Sequence, residues 1–296
     1  MDLYSAQDLL KICEDTGWTM SEVVLHYEAE RSGETPETVR TIMEQTLAVM
    51  QQSVQRGLED PGHMAHLAKA YGKKLAAAAE AGNLVGGRGL QRITMYALAV
   101  AQHNAALGRI VACPTAGSCG VVPGALLAIG EELSSREQAL IDGLLAAAGI
   151  GVVSAAQGPI AGAEGGCQAE CGVASAMAAG AVVCIMGGTP GQMMDAASLA
   201  LQNLLGLVCD PVAGLVEIPC ITRNACAAGN AVMAANMVMA GISSLIPYDE
   251  TVQAMKLIGR AMPESLRETA KGGLAATPTA RRIHRQMQRE HHLEDE

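Results

Sequence analysis

The chain of 296 residues has no Phe, one Trp and five Tyr, so aromatic side chains cannot build its core. Ala, Gly, Met and Leu carry it instead, which favours helices packed through small residues over a β-sandwich. Residues 137–222 contain no Lys or Arg. A stretch of that length cannot cover itself with a solvated face of mixed charge and is expected to be buried. Cations are short everywhere: 20 Lys and Arg face 30 Asp and Glu, and the net charge of −10 argues against a nucleic-acid partner. No Lys lies between Lys74 and Lys256, which leaves the middle of the chain without a Schiff-base residue for pyridoxal phosphate. No Cys-x2-Cys pair occurs, against a zinc ribbon, a thioredoxin-type site or the compact bacterial ferredoxin run. The start, MDLYSAQDLLKICEDTG, lacks a positive n-region and an apolar h-region. A cytoplasmic location is therefore expected, and the nine cysteines read as thiols or metal ligands rather than disulfides.

Two uncharged runs, 171–188 and 224–247, are long enough to raise a membrane span. Both are rich in Ala, the second carries Asn224, Asn230 and Asn236, and their flanks are acidic (Glu170, Asp195, Asp249, Glu250). Buried helices and no membrane partner are expected.

Along the chain, Ser5 with Asp8 opens a helix that Gly17 closes, and Thr19 with Glu22 is a capping-box pattern. Thr35–Pro36 starts a third helix with an apolar stripe of Val39, Ile42, Met43, Leu47 and Met50, and Gly57 is expected to end it. A fourth is expected over 63–81, with Lys69, Lys73 and Lys74 as a wetted face. NLVGGRG, 83–89, lacks the Lys-Ser/Thr of a phosphate loop and reads as a hinge before a helix over 90–107. That helix carries His103, a core residue or a catalytic one. In CPTAGSCGVVPG, 113–124, Thr115 and Ser118 are candidate caps of the helix that follows, and bare amides there could hold a substrate carboxylate. Further helices are expected over 135–148 and from Thr189–Pro190 to near Gly206. After Asp249 the tail is amphipathic, with Arg281, Arg282, Arg285 and Arg289 beside His284, His291 and His292 as a solvated face or subunit contact. No repeat and no strand alternation is present. The fold expected is mainly α: one multi-helix domain over 1–296, with an amphipathic part (1–82), a core (83–248) and a helical tail (249–296).

Chemistry concentrates in residues 158–230, which hold six of the nine cysteines and the acids Glu164, Glu170, Asp195, Asp210 and Glu217. Buried acids need a hydrogen-bonding partner, a cation or a metal. Cys167 and Cys171 could share one helical face, whereas Cys209 and Cys220 sit in the Gly- and Pro-punctuated segments VCDPVAG and IPCITRN. Ligands on loops can be aimed independently. Three thiolates from distant segments would bind a [4Fe-4S] cluster and leave one iron open as a Lewis acid. The plainer alternative, cysteines as small buried hydrophobes, is preferred for Cys184 and Cys226.

The motifs CPTAGSCGVVPGAL, GPIAGAEGGCQAECG and CDPVAGLVEIPCITRNA, with 41 and then 10 residues separating Cys167, Cys209 and Cys220, closely resemble the α chain of bacterial iron-sulfur-dependent L-serine dehydratases over residues 85–245. The resemblance implies a helical domain with Gly-rich loops around a [4Fe-4S] cluster on Cys167, Cys209 and Cys220, with Cys171 a neighbour. It implies an L-serine ammonia-lyase: the open iron takes the C3 hydroxyl, a base takes the α-proton, and aminoacrylate becomes pyruvate and ammonia. On that reading Thr115 and Ser118 are candidates for the substrate carboxylate. Arg223 and Asn224 are candidates for the substrate or the cluster's charge, or a structural pair, and Glu164 is an acid–base group or the start of a helix. Single-chain relatives carry a fused second domain and a late Cys that can occupy the open iron, whereas this sequence ends HHLEDE. A separate β subunit is therefore expected, with an active-site His of its own. The alternatives are a related lyase such as an L-cysteine desulfidase, and a non-catalytic cluster-carrying redox protein.

Overall fold

The computed structural model describes residues 1–59 and 65–294, with side chains as far as residue 289. Thirteen α-helices follow one another among these residues: α1 (Ala6–Thr16), α2 (Met20–Ser32), α3 (Pro36–Glu59), α4 (Tyr71–Glu80), α5 (Gly87–Ala105), α6 (Val121–Glu132), α7 (Glu137–Gln157), α8 (Gly162–Gly165), α9 (Val173–Ile185), α10 (Pro190–Gln202), α11 (Cys220–Met239), α12 (Tyr248–Ala261) and α13 (Pro278–Glu294). The described residues form no strand, and the one extended pairing is an isolated parallel bridge between Cys209 and Arg267. The mainly helical architecture expected from the composition is the one observed.

α9 is the axis of the molecule. Its sequence, VASAMAAGAVVCI, has no polar stripe, and every residue from Val173 to Val183 is buried. Such a helix needs neighbours on all sides, and α6, α7, α10 and α11 supply them. Small residues bring these axes close. A Cβ on Gly180 would lie 2.1 Å from Ile150 Cδ1 of α7, and one on Gly124 of α6 would lie 2.7 Å from Ala97 Cβ of α5. α5 links this core to the outer helices α3 and α4, while α1, α2 and α3 cover α7, and α12 packs on α10 and α8.

Two helical stretches, Glu137–Gln157 and Gln168–Ile185, are long and apolar enough to cross a membrane, and 56% and 89% of their most apolar windows are buried inside the fold. The second coincides with the uncharged run at 171–188. The run at 224–247 forms most of α11, whose residues Asn224 and Asn230 turn inward to hydrogen-bond the backbone of other elements.

The N-terminal signals behave as read. Ser5 Oγ accepts from Asp8 N at 3.0 Å, Gly17 closes α1 at φ 72°, and Thr19 and Glu22 complete a reciprocal capping box. Other expectations are corrected. Gly57 does not end α3; it lies inside the helix, where its missing Cβ would stand 2.0 Å from the carbonyl oxygen of Ala99 on α5. The helix expected over 135–148 continues to Gln157, because Gly149 is a contact point for Val24 and Leu9 rather than a breaker. The fourth helix begins at Tyr71, not near residue 63, and His63 lies outside the described residues, as do the side chains of His291 and His292. Residues 66–68, outside the helix, are held by Glu217, whose carboxylate accepts the amides of His66, Leu67 and Ala68 at 2.7–2.9 Å.

Candidate active site

Three segments bring the cysteines together. Cys167 precedes a π-helical turn, Gln168–Gly172, that runs into α9, and Gly166 at φ 78° makes the bend before it. Gln168 is fully buried and fastens this bend: its Nε2 donates to Gly165 O at 2.9 Å and Met255 O at 3.0 Å, and its Oε1 accepts Gly206 N at 2.8 Å. The backbone N–H of Gln168 donates to Leu207 O at 3.0 Å, so the Cys167 bend is tied to the strand of chain leading into Cys209. Cys209 is held by the segment 264–274: its N–H donates to Leu266 O at 2.9 Å and its carbonyl accepts Glu268 N at 2.7 Å. Cys220 is the first residue of α11.

All three thiols are buried and lie within electrostatic reach of one another. Burial pushes Cys220 up to about 12, and Cys167 adds to that; Cys209 is raised further, again by burial first and Cys167 next. Cys167 goes the other way. The thiol of Cys171 donates to it and lowers it against the cost of burial, with the Arg223 guanidinium helping. Cys171 is correspondingly raised well above its ordinary value, first by that hydrogen bond and then by burial. Of the two, Cys171 holds its proton the more tightly and Cys167 is the more readily ionised. Arg223 is itself anchored, ion-paired to Asp210 at 2.9 Å and donating to Val208 O at 2.8 Å. Asp210 is completed by Leu274 N at 2.6 Å.

Glu170 faces the same space from the π-turn. It is 8% exposed, and Thr115 of the 113–120 loop donates to its carboxylate. Burial raises its carboxyl above the usual range, Thr115 opposes this, and the negative charge of Glu268 adds to it. Two glycines make room. A Cβ on Gly117 would stand 2.6 Å from Glu170 Oε1, and one on Gly162 would meet Cys209 Sγ at 2.8 Å, Glu268 Oε2 at 3.2 Å and Glu170 Oε2 at 3.3 Å. Among the described residues no group of three His, Cys, Asp or Glu side chains is arranged to hold a single metal ion.

Of the residues singled out in the sequence, Cys167, Cys209, Cys220, Thr115 and Arg223 are gathered here. Ser118 is fully buried, with its hydroxyl donating to Cys113 O at 3.3 Å. Asn224 is also fully buried. Its Oδ1 accepts Gly120 N at 2.8 Å, and its Nδ2 donates to Gly117 O at 2.8 Å and Cys220 O at 2.9 Å, so it clamps the 113–120 loop onto α11. Thr115 and Ser118 do not cap α6; Gly120 stands at its start without a side-chain cap, and Asn224 meets that amide from a distance. Glu164 is exposed and lines a surface cleft with Gln157, Lys256 and Arg260. Glu170 was legible only as a buried acid, although its position three residues after Cys167 was the signal; Glu268 carried no local signal at all.

A family described as "Serine dehydratase alpha chain" matches residues 15–275, which include every residue of this constellation. The chain belongs to that family. It is 45% identical to the probable L-serine dehydratase, alpha chain, of Bacillus subtilis over 96% of its own length and 94% of the relative's. It is 40% identical to the L-serine dehydratase, alpha chain, of Peptoniphilus asaccharolyticus, over 97% and 99%. A match at 37% identity to L-serine dehydratase TdcG of Escherichia coli takes in 93% of this chain and 62% of that longer protein.

Proposed function

We propose that this chain is the catalytic α subunit of an L-serine ammonia-lyase, acting in the cytoplasm, that releases pyruvate and ammonia, with Cys167, Cys209 and Cys220 holding a [4Fe-4S] cluster. It is a lyase by family. The observation that carries the cluster is the donor set: three buried thiols on three separate segments, each felt by the others, beside a fourth that donates to the first. Soft thiolates suit iron–sulfur chemistry, and a cluster takes its ligands at separate corners rather than at one point. When bound, the cluster would supply a Lewis-acidic iron that makes the serine hydroxyl a better leaving group.

The chain's own residues do the rest. Arg223, held by Asp210 and Val208, places a fixed positive charge beside the thiolates and offsets the cost of burying them. Thr115, half-buried on the loop, donates to Glu170, while Ser118 and Asn224 hold that loop in place. Glu170, with its carboxyl raised, is suited to hold or move a proton at its carboxylate near the thiols. Glu164, exposed on the short helix α8, lies outside this space and takes no part in it.

A separate β subunit completes the enzyme in this proposal. The match to 62% of the longer Escherichia coli relative supports it, since that protein has length beyond the region shared with this chain. Purifying the chain without oxygen, with and without the β chain, and recording iron, visible absorption and pyruvate tests the whole reading. Iron bound by both, and pyruvate formed with the β chain, is expected. An iron-free yet active protein would sink the cluster.

A further inference from the structure

Glu268 sits where the site opens to solvent. It is exposed, yet its Oε2 and the Oε2 of buried Glu170 lie 3.2 and 3.3 Å from one point, the position a Cβ would take on Gly162. Cys209 Sγ is 2.8 Å from that same point. Both carboxylates thus lie over Gly162 beside Cys209, close enough for the charge of Glu268 to be felt by Glu170, and no cationic side chain is ion-paired to either among the described residues. Of the nearby cations, Arg223 is spent on Asp210 and Lys271 on Glu264, while Arg267 reaches only Glu164 O, at 3.5 Å, and pairs with neither carboxylate. Like charges placed this close repel unless something positive lies between them.

The backbone under Glu268 is also unusual. Its φ of 62° is left-handed, and the residue is neither Gly nor Asn. Hydrogen bonds on both sides impose it: Glu268 N to Cys209 O at 2.7 Å, Cys209 N to Leu266 O at 2.9 Å, and further along Leu274 N to Asp210 at 2.6 Å. A conformation so over-determined aims a side chain. Here it aims a carboxylate at the thiol-lined space from the solvent side.

We propose that Glu268, with Glu170 as the floor beneath it, is the seat for the substrate's α-ammonium group, and so the feature that admits amino acids and rejects the corresponding hydroxy acids. The proposal rests on the serine-lyase reading of the same site and adds the groups that read the substrate's cation. One ammonium between the two carboxylates makes charge-assisted hydrogen bonds to both and removes their repulsion. An analogue with a neutral hydroxyl in its place leaves the acids facing each other, a large penalty in a partly dry site.

The oxygen-free complex with the β chain is the material for the test. Glu268→Gln is expected to raise KM for L-serine about tenfold with a smaller fall in kcat, the pattern of lost ground-state binding. Glu170→Gln should raise it further and Glu268→Asp should recover part of the loss, with iron content and visible absorption unchanged in all three. A readout free of turnover is calorimetric binding of L-alanine against L-lactate, neither of which carries a C3 hydroxyl to eliminate. The unsubstituted complex should prefer L-alanine, and Glu268→Gln should abolish the preference. Unchanged KM with the preference intact overturns the ammonium seat and leaves the lyase reading standing; loss of iron from Glu268→Gln also overturns it, by making the residue part of cluster retention. A complex that makes no pyruvate overturns the serine reading, and the L-alanine against L-lactate comparison still decides the seat.

Discussion

The outer layer α1–α3 and the core around α9 are both helical, but their helix ends are satisfied in opposite ways. In the outer layer the described ends are closed by residues next to them in the chain: Ser5 and Gly17 for α1, Thr19 with Glu22 and Gly33 for α2, and Thr35 with Pro36 at the start of α3. In the core, α5, α6, α7, α9 and α11 begin without any side-chain cap. The start of α6 is met by Asn224, more than one hundred residues away in sequence. Helices that end through their neighbours can form in any context that buries one face. Helices that end through distant side chains form only when the whole core assembles, and the loops at those ends are then fixed well enough to aim thiols and carboxylates.

The strongest way to break this contrast is to remove a core group whose value is chemical. Cys209→Ser or Cys220→Ser is expected to abolish iron retention and pyruvate formation together, while far-ultraviolet circular dichroism stays helical. Cys171→Ala should keep most of the iron, since its thiol donates to Cys167 instead of serving as a ligand. Iron lost from Cys171→Ala and kept by Cys167→Ala would move the first ligand by one turn.

That contrast also explains what could be read in advance. α1, α2, the start of α3 and α10 were legible because Ser5, Thr19, Thr35 and Thr189 each accept the amide three positions on. Gly57 was misread, and the helix from 135 was ended too early before Gly149, because a glycine that ends a helix and one that lets another helix approach look alike in sequence; Ala99 O and Val24 Cγ2 make the difference. Glu217 likewise carries no mark of its reach to residues 66–68. The cysteine spacing exposed three members of the site. The acids did not follow, since Glu268 gains its role through a backbone bridge to Cys209 that no periodicity encodes.

Stability should follow the same division. Gly57→Ala drives a methyl into Ala99 O and C, at 2.0 and 2.4 Å, and because these are backbone atoms no rotamer relieves it. A loss of about 3 kcal/mol is expected by chemical denaturation. Gly17→Ala points into open space and bears only its left-handed φ, so about 1 kcal/mol is expected there. Asn224→Ala lies between them at about 2 kcal/mol, from one amide and two carbonyls left without their partner in a dry interior. It differs from both in reaching function, because Gly117 and Thr115 move with the loop; its KM for L-serine should rise even after the stability loss is offset by lower temperature.

The smallest effect is the sharpest control. Thr19→Ala removes the hydroxyl that accepts Glu22 N at 3.3 Å and donates to Glu22 Oε2 at 2.8 Å, and leaves only the backbone N–H of residue 19 for that carboxylate. Both groups are at the surface, so water replaces them and about 1 kcal/mol is the expected cost. Thr189→Ala, the same box on α10 with Gln192, should cost as much, even though α10 packs directly on α9. Neither change should alter KM, kcat or iron content. If Thr189→Ala disturbed catalysis while Thr19→Ala did not, local capping would itself help to position the core, and the division between self-closed and tertiary-closed helices would have to be redrawn along α10.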